Sequence, residues 1–287
     1  RARNVLSKPL GLADQQFNAM FWDVMPYSWP ILGWPADVDS ITLEQAQDFM
    51  QYYAPHNITL ILVGDFQYKP TVDLIERYFG QIPRVNKTIP LVVTKQDEQK
   101  FEKRMLVNVD NVDPQLRIRF HTVKVSSDDV YPLLVLSEVL DSKVGLLNQR
   151  LVDGKPSLAL KGSTYAYLNA MKYAGYFELG AKTDENKKLT ELENRMLEIL
   201  SDAKSISAED LSDAKANLIM QKHKYLDSNE AYMHFLMSAV YAEGWQSLNN
   251  YSDLINTVSI NDIKRVVDAY FSPQSRSVLV VKNSTVD

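Results

Sequence analysis

The sequence predicts an α+β protein, in which amphipathic helices and sheet strands share one chain of 287 residues. Three observations support this class. Apolar residues recur at helical spacing in several segments. Strand-like runs that alternate with period two fill the middle of the chain. A helix–proline–strand unit occurs twice, about 218 residues apart, with Pro55 and Pro273 at matching places.

The first amphipathic helix is predicted in SITLEQAQDFMQYYAP, residues 40–55. Thr42 is a plausible N-cap and Gln45 stands at the third helical position, which is the capping-box pattern. Pro55 ends the helix because proline has no amide hydrogen to donate. The apolar residues on the predicted face are Leu43, Ala46, Phe49, Met50 and Tyr53.

A buried strand and a second helix are predicted next. The run ITLILVGDF, residues 58–66, is short and apolar and closes on Gly64-Asp65. The segment PTVDLIERYFGQIP, residues 70–83, places apolar side chains on one helical face and stops at Gly80, a residue type common after helix ends.

Four strands are predicted in the middle of the chain, over residues 104–112, 116–125, 158–168 and 174–183. Several of them alternate with period two, which suits a sheet with one covered face. Two long amphipathic helices follow, one over residues 189–200 and one that begins after Ser207 and continues to about residue 244.

Composition excludes several classes of function. The net charge is −5, and no run of Lys and Arg suggests phosphate binding, so a general nucleic-acid binder is disfavoured. The chain has no cysteine, which excludes disulfides, thiolate metal sites and cysteine nucleophiles. It also has no apolar run of about 18 residues, the length that a transmembrane helix needs.

The repeated unit indicates two homologous domains. DSITLEQAQDFMQYYAPHNITLILV, from residue 39, aligns with NTVSINDIKRVVDAYFSPQSRSVLVV, from residue 256, with one insertion. Chance similarity is the alternative, since helix–proline–strand units are common. The repeat predicts that residues 1–92 form the C-terminal half of a first domain and residues 93–287 a complete second domain. A polar linker is expected over 84–100.

One long ordered series of motifs resembles the M16 zinc metallopeptidase family, whose members include pitrilysin-like and processing-peptidase-like enzymes. The series covers residues 26–83. It begins with Pro-Tyr and P-x-x-G, followed by a helix and the motif Y-x-P-x-N. An apolar strand that ends in V-G-D and a helix that ends in Y-F-G-x-I-P complete it. LLNQRLVDGKPSLAL, residues 146–160, resembles the second domain's motif more weakly. The resemblance implies LuxS/MPP-like units, each an antiparallel sheet with packed helices, one complete and one partial. Two such units enclose a peptide like a clamshell.

The resemblance also implies zinc chemistry that this chain does not contain. The family's first domain carries H-x-x-E-H and a later Glu ligand, and none of His56, His121, His223 and His234 stands in such a motif. Zinc is therefore expected in the parent protein and not in this chain. The family's Glu ligand would lie at or before residue 1, and the opening RARNVLSKPLG lacks Met, so we expect residue 1 to be a processed or trimmed end.

Three functions remain open on the sequence. The first is a fragment of a zinc endopeptidase that degrades or processes peptides and unfolded polypeptides. The second is a non-catalytic M16 partner subunit, and the third is an α+β interaction domain outside the family. The expected partners are a peptide substrate, a second copy of the chain or an M16 partner subunit. Because bacterial relatives are often exported, a periplasmic location is expected, with the cytoplasm or the mitochondrial matrix as alternatives.

Two residues are candidates for substrate binding. The family's second domain commonly offers an Arg and a Tyr, and both are absent from their expected places here. Arg150 and Tyr165 lie nearby in the sequence and could substitute for them. The alternative is that Arg150 is a solvated helix residue and Tyr165 an aromatic residue on a strand face. Met25 stands where the family has a His, so any contact of that His is lost.

Four residues of metal-ligand type lie close together in the last third of the sequence. On a continuous helix, His223, Asp227, Glu230 and His234 would share one face. Such a helix spreads them over about 16 Å, so no single ion could reach all four. A solvated polar face is the favoured interpretation. His56 and His121 are isolated and are interpreted as structural.

Overall fold

The computed structural model describes residues 5, 7–85, 87–90, 92–242 and 250–285. Its helices are α1 (Gly11–Phe21), α2 (Pro35–Ser40), α3 (Leu43–Met50), α4 (Tyr68–Phe79), α5 (Val130–Asp141), α6 (Leu189–Asp202), α7 (Ala208–Lys224), α8 (Asn229–Ala242), α9 (Tyr251–Thr257) and α10 (Ile260–Tyr270). Its strands are β1 (Lys103–Val109), β2 (Gln115–Thr122), β3 (Tyr165–Ala170), β4 (Gly175–Lys182) and β5 (Arg276–Asn283). None of the described helices is long and apolar enough to cross a membrane.

The five strands form one sheet in the order β1-β5-β2-β4-β3. The pairs β5–β2, β2–β4 and β4–β3 are antiparallel, as predicted, whereas β1 pairs with β5 in parallel. The last strand of the chain thus lies between the first two. Ile118 in β2 marks the register, since it lies opposite Leu179 on one side and Val278 on the other.

The first face of the sheet is covered by a layer of helices. Leu116, Ile118 and Phe120 of β2 point into this layer, and each is almost fully buried. They pack with apolar side chains of α5, α6, α7 and α10 in one continuous core. Removal of this apolar surface from water is the main force that holds the sheet and the helices together.

The second face of the sheet is partly covered by α1. Phe17 packs against Leu279 and Val281 of β5, and Phe21 packs with Trp22 and Met25 in a neighbouring cluster. The sequence repeat assigns α1 to the first domain, yet its side chains contact the sheet of the second. α1 therefore connects the two parts of the chain.

The two copies of the repeat have the same local structure at their starts. Thr42 caps α3 and Ser259 caps α10, each in a complete capping box with Gln45 and Asp262, respectively. After each helix a short 3₁₀ turn begins at the proline, over Pro55–Asn57 and Pro273–Ser275. The predicted cap, helix and proline turn are therefore present in both copies.

The prediction of a buried strand over residues 58–66 is wrong for the described structure. These residues form no strand, and Ile58 and Leu60 remain 54% and 52% exposed. The matching segment, β5, is buried and has a neighbouring strand on each side. Local sequence provides only the propensity, because a strand also requires a partner for its backbone groups.

Two further predicted elements are shorter than expected. The third middle strand begins only at Tyr165, because a turn with a positive φ at Gly162 precedes it. The long helix after Ser207 is broken: α7 ends at Lys224 and α8 starts at Asn229. His223, Asp227, Glu230 and His234 therefore do not share one continuous helix.

Candidate functional site

The two predicted substrate-binding residues lie in different surroundings. Arg150 is in a single π-turn over Asn148–Val152, and its Nη1 donates to Oδ2 of Asp202 at the end of α6, 2.5 Å away. Tyr165 begins β3, and its hydroxyl donates to Oε1 of Glu178 at 2.8 Å. Leu151, beside Arg150, belongs to the helix-side core, whereas Tyr165 points to the other face of the sheet. The structure does not bring Arg150 and Tyr165 together.

A buried ion pair lies at the centre of the second sheet face. Nη2 of Arg119 is 2.6 Å from Oε2 of Glu178, and the two residues are only 6% and 2% exposed. Nε of Arg119 donates to the same oxygen at 2.7 Å. Because burying a lone charge is very costly, each group depends on the other, and both depend on the polar atoms around them.

The ion pair has polar and aromatic neighbours that complete its environment. Nη1 of Arg119 donates to Oδ1 of Asn18 in α1 at 3.2 Å. The guanidinium carbon also lies 4.1 Å from the ring centroid of Tyr176 and 4.9 Å from that of Phe17, which are cation–π distances. Burial, together with the carboxylate of Glu178, raises the pKa of Tyr165 well above its usual range. Tyr165 is therefore a neutral hydrogen-bond donor in this network.

His121 is a partly buried residue on the same face, and both of its ring nitrogens are buried. Its ring stacks on Phe21 with centroids 3.8 Å apart and meets the edge of Trp22 at 5.0 Å. Neither ring nitrogen has a hydrogen-bond partner among the described residues, although the Phe21 backbone lies nearby. Burial, and then the positive charge of Lys103, lower the pKa of His121 to about 4. His121 is therefore uncharged at neutral pH.

Lys103 fixes the end of α1 beside His121. Its ammonium donates to the carbonyl oxygen of Met20 at 3.0 Å and pairs with Oδ1 of Asp23 at 2.6 Å. A cation at a helix C-terminus satisfies carbonyl groups that have no partner within the helix. Asp14, nearer the start of α1, pairs with Arg117 of β2 at 2.8 Å. Together these bonds hold α1 on the sheet.

A cavity of about 770 Å³ opens beside α1 on the second face. One wall is aromatic and comes from the segment after α1, through Trp22, Tyr27 and Trp29. The opposite wall comes from the sheet, through Asn169 of β3 and Tyr176 of β4. Its volume lies within the usual range of ligand pockets. Its lining combines aromatic side chains with a few polar groups, a composition that ligand pockets commonly have.

Residues that could hold zinc are not grouped anywhere in the described part of the chain. No cluster of three His, Asp or Glu side chains with suitable positions occurs there. The donor set that the family's metal site requires is therefore not assembled by the described residues.

Sequence reasoning missed the ion pair, although a signal was present. In the buried run LRIRFHT, Arg117 and Arg119 stand at alternate positions, and Glu178 occupies the matching place in YFELG. Charged residues inside apolar strands are rarely buried unless they are paired. This pattern indicates a buried partner, but the pairing itself depends on strand order.

Comparisons with known proteins agree with the fold. A family model described as "Peptidase M16 inactive domain" matches residues 40–218. A curated relative, the zinc protease PqqE of Helicobacter pylori, is 22% identical over 282 residues, which are 96% of this chain and 63% of that protein. The chain thus spans less than two thirds of the length of this relative.

Two solved structures show the same fold. A protease from Helicobacter pylori superposes with a TM-score of 0.88 at 22% identity, covering 98% of this chain and 69% of that one. The first half of the periplasmic protease PqqL from Escherichia coli superposes with a TM-score of 0.72 at 17% identity, covering 96% and 62%. Because the family model matches more than half of the residues, the chain belongs to the M16 peptidase family, through its inactive domain.

Proposed function

We propose that this chain is the part of a zinc-dependent M16 endopeptidase that closes over the substrate, while the zinc site lies in another part of the same protein. The substrates are peptides or unfolded polypeptides. Two findings support the proposal: the matched family model describes an inactive domain, and the curated relative of greater length is named a zinc protease. The second domain supplies the enclosing surface, and residues 1–92 supply the C-terminal half of the first domain.

One observation carries this proposal: an exposed apolar surface on residues 43–82. We call it the completion surface. It consists of side chains that are each more than 40% exposed, from α3, from residues 58–62, from α4 and from the turn after α4: Leu43, Phe49, Met50, Ile58, Leu60, Leu62, Leu74, Tyr78, Phe79 and Ile82. An accumulation of large exposed apolar side chains on one segment indicates an interaction site.

The internal repeat indicates what covers the completion surface. Phe49 and Met50 of α3 correspond to Val266 and Val267 of α10, which are buried in the helix-side core. In that core, α10 packs against α5 and against β2 of the sheet. To be covered in the same way, the completion surface needs a helix equivalent to α5 and strands equivalent to those of the sheet that contains β2. The greater length of the relatives is consistent with a polypeptide that contains them.

Expression of the longer gene product that contains this chain tests the proposal. We expect it to bind one zinc ion per chain, measured by elemental analysis, and to cleave a quenched fluorescent peptide. Alanine in place of the histidines of its H-x-x-E-H motif should abolish both. A longer product that neither binds zinc nor cleaves peptides would reject the endopeptidase and favour a non-catalytic M16 partner subunit.

Hydrogen exchange tests the completion of the first domain separately. We expect the amides of residues 58–63 to exchange rapidly in this chain and slowly in the longer product, because they gain strand partners there. Equal exchange rates in the two proteins would contradict this part of the proposal.

We also propose a periplasmic location, supported by the description of the PqqL relative as periplasmic. Cell fractionation followed by immunodetection tests it. Recovery of the protein with cytoplasmic markers would reject it.

A further inference from the structure

We propose that the C-terminal end of α1 is a proton-sensitive latch, in which protonation of His121 releases Phe21 and Trp22 from the sheet. The latch controls how firmly α1 is held on the five-stranded sheet. It operates in this chain alone, without any peptidase activity or zinc.

His121 is enclosed by the end of α1. Its ring stacks on Phe21 with centroids 3.8 Å apart and packs edge-on with Trp22 at 5.0 Å. Phe21 and Trp22 are 0% and 2% exposed. Both ring nitrogens of His121 are buried as well, and neither has a hydrogen-bond partner among the described residues. Buried polar groups without a partner are uncommon in native proteins, and strain stored for a function is one cause of them.

The acceptors near His121 are already occupied by Lys103. The Lys103 ammonium donates to the carbonyl oxygens of Met20 and Phe21, at 3.0 and 3.3 Å, and to Oδ1 of Asp23 at 2.6 Å. The Phe21 carbonyl group and the Asp23 carboxylate also lie close enough to His121 to favour its protonated form. A protonated His121 therefore competes with Lys103 for one set of oxygens at the end of α1.

The other charged groups around the ring offer little compensation for a second positive charge. Arg119, from the same strand, is paired with Glu178, and Tyr176 lies opposite His121 on β4. His121 also borders a hollow between the linker and the β3–β4 turn. The titratable groups that border this hollow with it are Lys95, Asp97, Glu98, Lys124, Lys172 and Tyr173. Three lysines face two carboxylates there, so protonation adds charge to a region that is already positive.

Protonation therefore favours release of the ring from Phe21 and Trp22. Burial, and then the positive charge of Lys103, lower the pKa of His121 to about 4 while α1 is in place. A released ring returns to the ordinary pKa of 6.5, because water then solvates the charge. The equilibrium constant for release therefore rises about 30-fold between pH 7.5 and 5.

Trp22 connects the latch to the cavity beside α1. It lines that cavity together with Tyr27, and the two ring centroids are 5.5 Å apart. Nearer the start of α1, other contacts are independent of His121: Asp14 pairs with Arg117 at 2.8 Å, and Phe17 packs on β5. Release of the end of α1 thus moves one wall of the cavity while the start of the helix stays on the sheet.

Hydrogen exchange at pH 7.5, 6 and 5, corrected for the intrinsic rate at each pH, tests the latch. We expect the amides of Phe21 and Trp22 to exchange faster than those of α10 at every pH, because the latch opens without global unfolding. Their protection should fall about 30-fold from pH 7.5 to 5. Exchange at the same rate as α10 would overturn the proposal, because α1 would then open only with the whole domain.

Two histidine variants separate the latch from other effects of acid. In His121→Phe, which keeps an aromatic ring and cannot take up a proton, the protection of Phe21 and Trp22 should not change with pH. His56→Gln, at an exposed position, should behave like the wild-type protein. A fall in protection that persists in His121→Phe would overturn the proposal.

Lys103→Met tests the competition for acceptors. NMR titration of the His121 ring should give a higher pKa in this variant than in the wild-type protein, because a nearby positive charge is gone and its acceptors are free. Lys204→Met is the matched control, since the Lys204 ammonium pairs with Asp268 in the helix layer, and it should leave the titration unchanged. An unchanged or lower pKa in Lys103→Met would overturn the role of Lys103 in the latch.

Discussion

Acidification should destabilise the protein through His121. The pKa of this residue is lowered to about 4 in the folded chain, from 6.5 for an ordinary histidine. The folded state therefore prefers the neutral ring, whereas the unfolded chain takes up a proton as soon as the pH falls through 6.5. The contribution of His121 to stability is complete above pH 6.5, declines between pH 6.5 and 4, and is absent below that range.

The size of this effect follows from the two pKa values. Their difference corresponds to about 3 kcal/mol once the residue is fully protonated, and about 2 kcal/mol of that is already lost at pH 5. The physical cause is the position of the ring, which stacks on Phe21 close to the ammonium of Lys103. A positive charge there is poorly solvated and is repelled by another positive charge.

Urea denaturation at pH 7.5, 6 and 5 measures the effect. His121→Phe keeps an aromatic ring against Phe21 and cannot take up a proton, so it should lose about 2 kcal/mol less than the wild-type protein between pH 7.5 and 5. Comparison of the two proteins cancels the titration of other groups that they share. His56→Gln, at an exposed position, serves as the control and should follow the wild-type profile. Parallel profiles for wild type and His121→Phe would refute the reasoning.

Three other predictions concern the buried ion pair, the helix caps and self-association. Arg119→Met should reduce the free energy of unfolding by about 3–5 kcal/mol, because it leaves the buried Glu178 carboxylate without an opposite charge, and the double variant with Glu178→Leu should cost less than the single one. Ser259→Ala removes the N-cap of a packed helix and should cost about 1 kcal/mol, whereas Thr42→Ala should cost less in global unfolding because α3 lies outside the core. The chain should self-associate through the completion surface, and light scattering over a concentration series should show less association for Phe49→Asp.

Urea denaturation at neutral pH measures the first two of these effects. A double variant as unstable as the sum of its single variants would contradict the account of the buried ion pair. Equal losses for the two cap variants would show that α3 belongs to the cooperative core. For association, a wild-type chain that stays monomeric at high concentration would show that the completion surface is satisfied within the chain.

Features that depend on neighbouring residues were predictable from the sequence. The capping boxes of α3 and α10 follow from a hydroxyl residue and a carboxamide or carboxylate residue three positions later. The helices end near the prolines that follow them, because proline cannot continue the hydrogen-bond ladder. Such signals act within one turn of the chain, so distant residues do not alter them.

Features that depend on distant residues were not predictable. Period-two alternation located β1, β2 and β4, but it contains no information about which strands become neighbours. β5 lies between β1 and β2, with one parallel pair, and this order brings the end of the chain next to strands from its middle. The ion pair of Arg119 and Glu178 depends on the same arrangement, because it joins residues 59 positions apart.

The end of α7 shows a further limit of reading periodicity alone. Polar and apolar residues continue at helical spacing through 225–228, yet the helix stops at Lys224 and the hydrogen bonds there become turn-like. Periodicity records which face is polar and does not record whether the backbone stays continuous. His223 and His234 therefore do not lie on one continuous helix face, because the helix is broken between them.

The position of α1 bears on where the two domains are connected. The sequence repeat places the boundary near residue 92, a prediction that depends on homology of the two halves. Several bonds cross this predicted boundary, because Asn18 contacts Arg119, and Lys103 holds the end of α1 on the five-stranded sheet. A movement of the completion surface relative to that sheet must therefore either break these buried polar contacts or bend the chain after Met25. After Met25, the side chains of Trp29 and Ile31 are exposed, whereas Phe17 and Phe21 of α1 are fully buried, so bending there disrupts fewer packed side chains than separation of α1 from the sheet.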